Sequence, residues 1–491
     1  MATATVVGSG PNGLAAGVAL ARGGVEVTVL EAASTPGGGT RSSRTALPGL
    51  VIDHCSAIHP MAVGSPFLTG LGLERYGLRW RQPEIDCVHP LDGGTAGVLH
   101  RSVERTAECL GADGDRWLRL LAGPSAGYDA LAEDILGPLL RVPRHPLRLA
   151  RFGVPAALPA TVLARWFRTE EARALFGGVA AHAFRPLHRP LSSSIGLGIL
   201  AAGHRHGWAV AEGGSQRIAD ALVALLGDLG GSVHTGVEVR SLRDLPPADV
   251  TIWDLAPDAV TRVVGDRLPR RTRRAYRRFR RGPAAYKVDF AVEGGVPWTV
   301  EAARRAGTVH LGGTFDEVAQ AERDVVAGRM PARPFVLVGQ QYLADPQRSS
   351  GDLHPLWAYA HVPHGHPGDV APAIVAQIER FAPGFTDRVR GTVVHTPTDF
   401  AAENANFAGG DIMTGSKDLP QLVLGPRPTL HPYDLGLPGH FVCSAATPPG
   451  PGAHGMCGAH AAARALRHLR RRGVLTASPT RPPTDTTPSA G

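Results

Sequence analysis

Residues 4–31, ATVVGSGPNGLAAGVALARGGVEVTVLE, constrain the fold more than any other stretch. Thr5, Val6 and Val7 make a short apolar run suited to a buried parallel strand. Gly8, Gly10 and Gly13 follow at GxGxxG spacing, with Pro11 and Asn12 inside the turn. Gly8 permits the tight turn, Gly10 lets the backbone reach a pyrophosphate, and Gly13 lets the next helix lie close to the sheet. Free N–H groups at that helix start then face the phosphates. A second strand over 25–30 ends at Glu31, where a carboxylate accepts from ribose hydroxyls. A lone glycine motif is weak. Between two strands, with an acid at this distance, it predicts a Rossmann-like domain.

The chain has 491 residues, of which 43% are hydrophobic, enough for roughly two to three domain-sized units. Its net charge of +8 is concentrated at residues 262–281 and 464–472. No aromatic-interleaved basic surface accompanies these arginines, so no nucleic-acid partner is expected. They read as solvated helix faces, with headgroup contact at a membrane as the alternative. The cysteines, Cys55, Cys87, Cys109, Cys443 and Cys457, form no CxxC. That pattern fits a reducing cytoplasm and argues against a disulfide reductase. The first strand begins almost at Met1, which leaves no room for a signal peptide, and no apolar run reaches the ~18 residues of a membrane span. No metal is expected.

A second glycine-rich turn, PGGGTRSS, presents Gly38, Gly39, Thr40 and Arg41 to a phosphate or ribityl chain. Residues 51–54 read as a short strand whose Asp53 and His54 face either the ligand or solvent. Residues 102–205 look mostly helical. The Leu-, Ala-, Arg- and Pro-rich run 135–167 reads as a helical cap, with a lid or an interfacial patch as alternatives. An amphipathic helix over 218–229 is ended by Gly230 and Gly231, and strands follow through Val237 and Val239. DVTIWDL, 249–255, is a buried strand that returns to the first sheet. AAYKVDFAV, 284–292, is an alternating strand carrying Lys287, and AENANFAGGDIMTG, 402–415, is a polar loop carrying Asp411. A strand over 440–444 and a Pro-Gly loop lead to His454, Gly455 and Met456. The helix behind them is built of small residues, and a planar ring can lie against its first turn. The Pro/Thr/Ser tail from 476 reads as disordered.

Taken together, VVGSGPNGLAAG, PGGGTRS, EGGSQRIADAL and SAATPPGPGAHGMCGAHAA resemble the phytoene desaturase-like flavoproteins, relatives of the flavin amine oxidases. The likeness runs to about residue 472 and is nearest to the carotenoid ketolase-like and pyridine nucleotide-disulfide oxidoreductase-like subgroup. It implies an α/β fold: a Rossmann-like FAD-binding domain with an interleaved α+β substrate domain. The implied pieces are FAD-binding at 1–100, a helical cap at 101–207, FAD-binding at 208–268, substrate domain at 269–430 and FAD-binding at 431–472, before a tail at 473–491. The resemblance makes Val237 the adenine contact and Lys287 the strand lysine near flavin N5. It sets Met456 N–H facing the flavin pyrimidine and Asp411 beside the ring. His454 is a candidate proton carrier.

The departures from the family pattern redirect the expectation. Ile412 and Gly455 stand where amine oxidases carry two aromatic residues, so a cation–π cage for an amine is missing. Arg41 comes two residues later than the usual Gly-Gly-Arg. No second GxGxxG marks a nicotinamide domain, which leaves dioxygen, a quinone or another carrier as acceptor. The implied activity is oxidation of an apolar, carotenoid- or polyprenoid-like substrate by hydride transfer to FAD. The alternatives are an amine oxidase, a redox-neutral flavin isomerase, and a binding protein like the GDP-dissociation inhibitors, which share the architecture. The expected location is cytoplasmic, with peripheral membrane contact and oligomeric state left open.

Overall fold

Two sheets organise the computed structural model, which describes residues 1–475. The tail from 476 lies outside the described residues. The first sheet is wholly parallel, in the order His440–Val442, Val250–Trp253, Ala2–Val7, Val25–Leu30, Ser232–His234. Three remote stretches of chain thus meet in one sheet. The register sets Val7 beside both Leu30 and Trp253. The strands therefore end together, at Gly8, Glu31 and Asp254, and the carboxyl edge of such a sheet is where open α/β folds bind ligands.

Glycines bring the helices onto this edge. A Cβ at Gly13 would fall 2.0 Å from Gly8 O. A Cβ at Gly458 would fall 1.9 Å from Asn12 O, so helices Pro11–Arg22 and Met456–Arg471 touch through backbone. The helix Gln216–Asp228 buries Ile218, Leu222, Leu225 and Leu226 at helical spacing against the sheet. Truncating a fully buried leucine such as Leu222 to Ala costs about 2–5 kcal/mol.

The second sheet has seven strands, in the order Val389–His395, Ala284–Glu293, Leu353–Val362, Val336–Gly339, Ala306–Leu311, Ile85–Pro90, Ala96–Leu99. All neighbours are antiparallel except Ala306–Leu311 with Ile85–Pro90. Alternation divides its faces. One face, with Val288, Phe290, Leu356 and Val338, packs on the helix Ala371–Phe381. The opposite face carries Lys287, Asp289, Trp357, Tyr359 and Thr308, in register across the strands. Helices Glu170–Ala181 and Ser192–His206 lie on that side, around the core of Phe176, Val179 and Leu197.

Several boundaries move from the sequence reading. Residues 85–99 join the second sheet, so the first FAD-binding piece ends before 85. The arginine helix Arg270–Arg277 stays with the first domain. Its Tyr276 packs on Trp253 and Leu435, Thr272 Oγ1 donates to Leu435 O (2.9 Å), and most of its arginines face outward. The strand after Gly231 stops at His234, because the next N–H groups turn aside: Gly236 donates to Ala33 O and Val237 to Glu31 O. The interleaved pieces are stapled by a buried ion pair. Asp53 Oδ2 meets Arg348 Nη1 at 2.6 Å, its Oδ1 accepts from Ser42 and Ser215, and Arg348 Nη2 donates to Ala211 O. Asp53 is therefore a structural residue and not a ligand contact.

Candidate active site

A cavity of about 1070 Å³ runs from the carboxyl edge of the parallel sheet to the cap helices. Sites for drug-sized ligands take roughly 300–1,000 Å³, so this one lies at the upper end and suits a ligand as large as a dinucleotide. Gly8, Gly10, Glu31, Val237 and Arg240 line one end; Phe152, Ile195 and Ile199 line the other. The loop Pro448–His454 forms part of the same wall, so the two ends of the chain share one chamber.

The dinucleotide end is preorganised. Gly8 has φ +99° and donates to Leu30 O. Glu31 Oε2 accepts from Ser9 N–H (2.8 Å) and Ser9 Oγ (2.6 Å), and Oε1 from Ala33 N–H (2.9 Å), which fixes the carboxylate at the strand end. Pro11 starts the helix, and Asn12 Oδ1 is buried without a partner. The second glycine turn lies on the first: a Cβ at Gly38 would stand 3.0 Å from Gly10 Cα, and one at Gly39 would stand 3.1 Å from Phe407. Thr40 Oγ1 donates to Gly37 O, and Arg41 donates to Gly38 O and Glu403 O, which holds its guanidinium against the cavity.

These residues fit FAD. A cradle too tight for any Cβ, an orphaned polar atom at the helix start and a held carboxylate form the adenosine-diphosphate half. The adjoining chamber passes the Pro448–His454 loop and receives the rest. Val237 borders the cavity, but its N–H is taken by Glu31 O. Val239, two residues on, lines the same wall with no backbone partner for its N–H among the described residues, so its backbone is the one left to meet a ligand.

The ring-side candidates separate. His454 lines the cavity. Burial lowers its pKa to about 4, and its Nδ1 accepts from Met456 N–H (3.1 Å). It is thus neutral and engaged, which removes it as a proton carrier at neutral pH. The Met456 N–H spent on His454 is not free for a pyrimidine, and Met456 packs among Tyr128, Leu136 and Ala201. Gly455, at φ +68°, packs towards Ala15 and Phe67. Asp411 is fully buried behind the wall. Its carboxylate accepts from the N–H groups of Gly282 (2.9 Å), Gly415 (2.7 Å) and Met413 (3.2 Å), so it ties a loop together and does not face a ring. Its neighbours Ile412 and Met413 are the ones that line the cavity.

Lys287 lies one layer back, its Nζ paired with Asp289. It stands close enough for its charge to act on Cys55, a half-buried thiol at the cavity wall that desolvation pushes up to about 12. From Asp289 a chain of titratable groups leads outward: His395 Nε2 at 3.3 Å, then Glu403 from His395 Nδ1 at 3.4 Å, then His54 at 3.6 Å.

Two cavity residues were missed from the sequence. Lys417 is buried, with its pKa lowered to about 8 by burial, and its Nζ donates to Met413 O (2.9 Å). Asp254 accepts from Gly13 N–H at 2.9 Å inside the pyrophosphate turn, and burial raises it to about 7. Its position at the end of DVTIWDL, beside the first strand, was the available signal.

The comparisons agree with this geometry. Residues 6–66 match the model of the NAD(P)-binding Rossmann-like domain. Hydroxyneurosporene desaturase of Cereibacter sphaeroides is 33% identical over 298 residues, 52% of this chain and 56% of that protein. The match thus spans little more than half the desaturase. Pyridine nucleotide-disulfide oxidoreductase domain-containing protein 2 of Rattus norvegicus is 24% identical, over 95% of this chain and 94% of that protein. Among solved structures, putrescine oxidase bound to putrescine superposes with a TM-score of 0.63 at 18% identity, covering 96% of this chain and 99% of the other. That likeness shows the fold.

A parallel dinucleotide-binding sheet joined to a substrate chamber under a second sheet defines the class of FAD-dependent flavin amine oxidase-type folds. Within that class the sequence is similar to the hydroxyneurosporene desaturase over about half of each chain and to the pyridine nucleotide-disulfide oxidoreductase domain-containing protein over nearly all of both.

Proposed function

We propose that the protein is an oxidoreductase that takes hydride from an apolar, polyprenoid-like substrate. FAD, when bound, supplies the hydride acceptor. The chain binds the cofactor through the two glycine turns and Glu31, seats the substrate beneath the cap and keeps water out. Lys287, neutralised by Asp289 and backed by the His395–Glu403–His54 chain, holds a proton one layer behind Cys55.

One observation carries the substrate class. The cap end, with Ile135, Leu149, Phe152, Ile195 and Ile199, contains no carboxylate; the cavity's acids, Glu31, Glu238, Asp254 and Glu403, come from the segments that build the dinucleotide end and the wall beside Arg41. An ammonium substrate would find no counter-charge there, whereas a hydrocarbon chain fits. The desaturase relative is named for hydroxyneurosporene, which supports the same reading.

The outer surface of the cap favours delivery from a lipid surface. Leu139, which lines the cavity, and Val142, Leu147, Val154, Val162 and Trp166 of the same cap segment are exposed, Val142 at 91% and Leu147 at 79%. Six arginines, and no Asp or Glu, lie between 135 and 169. Apolar side chains among arginines suit the headgroup boundary of an anionic bilayer. No single described helix is long and apolar enough to cross one; among the described helices only the pair Pro146–Ala157 and Ala160–Trp166, bent by 91°, is so in combined length and composition.

The test is anaerobic flavin bleaching against carotenoids, other polyprenoids and amines. Bleaching by polyprenoids is the expected result; bleaching by amines alone overturns the proposal. Lys287→Met is expected to slow a flavin half-reaction at least about tenfold, as loss of a proton-holding group does.

A further inference from the structure

Four Lys and Arg side chains line the chamber. Arg240 is paired with Glu238 and Arg262 with Asp258, and Arg41 is held by Gly38 O and Glu403 O. Lys417 differs. It is 9% exposed, its ammonium donates to Met413 O (2.9 Å), and it forms no ion pair among the described residues. Two acidic groups are near enough for their charge to act on it, Asp411 and the Cys457 thiol. The Asp411 carboxylate is spent on the N–H groups of Gly282, Met413 and Gly415. The Cys457 thiol faces Thr447 O and Gly450 O, and burial holds it protonated. An ammonium taken out of water without a counter-charge is costly, and one carbonyl satisfies only part of its donor capacity.

The segment that carries Lys417 is tied on both sides. Thr414 is left-handed at φ +51°, a conformation that a β-branched residue seldom takes, and it lines the chamber. Gly415 N–H donates to Asp411, and Ser416 N–H donates to Arg280 O (2.9 Å). Beyond the lysine, Asp418 caps the helix Leu419–Leu424 by accepting from Gln421 N–H (3.1 Å). Between these ties the ammonium stands against the Pro448–His454 loop: a Cβ at Gly450 would lie 3.9 Å from Nζ. That loop borders the part of the chamber left for the flavin half of FAD once the glycine turns hold the diphosphate.

The oxidised flavin ring is uncharged. A hydride brings it two electrons and one proton, so the ring gains one negative charge. A fixed, buried cation stabilises such a charge because solvent screens it little. The Met456 N–H, a helix-start donor on this side, is already taken by His454 Nδ1. We infer that Lys417 is the counter-cation of reduced FAD, a residue that sets the cofactor's potential rather than its affinity. This rests on the FAD-oxidoreductase reading above and names one of its electrostatic parts.

The test is the two-electron midpoint potential of the FAD-loaded chain, measured by equilibration with reference dyes, beside its affinity for oxidised FAD, measured by quenching of flavin fluorescence. Lys417→Met is expected to leave the affinity for oxidised FAD unchanged. It is expected to weaken the hold on the reduced form at least about tenfold, a fall of about 30 mV or more in potential. Lys417→Arg, which keeps the charge, is expected to keep the native potential. Lys417→Gln is the second neutral variant should the methionine fold poorly, with the same fall expected. An unchanged potential in the neutral variants overturns the inference, as does an equal fall in Lys417→Arg. So does an equal loss of affinity for oxidised and reduced FAD, which would assign the ammonium to the diphosphate. Each of these leaves the FAD-oxidoreductase reading standing; a folded chain that takes up no FAD overturns both.

Discussion

Asp254 shows how one carboxyl couples the cofactor turn to pH. Burial raises it from 3.8 to about 7, with the Gly13 N–H pulling it down and the charge of Glu31 pushing it up. Between those two values the folded chain keeps a proton that the unfolded chain has lost, so this group's contribution to stability falls as pH rises through the window. Asp254→Asn, which can still accept from Gly13, is expected to raise the melting temperature at about pH 8 and to flatten its pH dependence. Parallel melting curves for the two proteins across pH would contradict this. Lys287 makes a second residue-scale case. It is 1% exposed and its partner Asp289 is fully buried. Lys287→Met strands that carboxylate and is expected to cost about 3–5 kcal/mol in urea unfolding, with Asp289→Asn in the same chain recovering most of it.

At the scale of elements, the Asp53–Arg348 pair ties residues 42–53 to 211–215 and 345–348. Arg348→Ala is expected to destabilise by about 3–5 kcal/mol, measured by denaturant titration. Burial pushes Asp53 up, but Arg348, Ser42 and Ser215 outweigh it and hold it below 3.8. Its contribution is therefore present above that value and lost as pH falls through the lower, folded one. The cap helix Pro146–Ala157 gives a separate expectation. Leu147→Ser with Val154→Ser should reduce co-sedimentation with anionic vesicles severalfold while leaving FAD content unchanged; full retention would remove the membrane contact.

The glycine turn, the helix 216–228 and the strand around Lys287 were legible because each rests on spacing along a short stretch: GxGxxG between strands, period 3.6, period 2. The parallel pairing of 85–90 with 306–311 was not, because its partner lies more than two hundred residues away and nothing local specifies it. The family resemblance made Asp411 and Met456 ligand-facing. Their hydrogen-bonding capacity is consumed by backbone N–H groups in one case and by His454 in the other, and such consumption depends on loop geometry that spacing does not encode.

At the scale of the whole molecule, the account requires the first and last folded stretches to close on one ligand. The parallel register of 2–7, 250–253 and 440–442, the backbone contact of Gly458 with Asn12 and the shared cavity all place them there. Gly10→Val would thrust its side chain at Asp254 Oδ2, which already lies 2.7 Å from the Cβ position. It is expected to lower FAD affinity at least about tenfold without changing the fold seen by circular dichroism. The most direct measurement is the flavin content of the purified chain after incubation with excess FAD, read from its visible spectrum. The account predicts a yellow protein carrying one FAD per chain; a colourless protein that is folded yet takes up no FAD would contradict it.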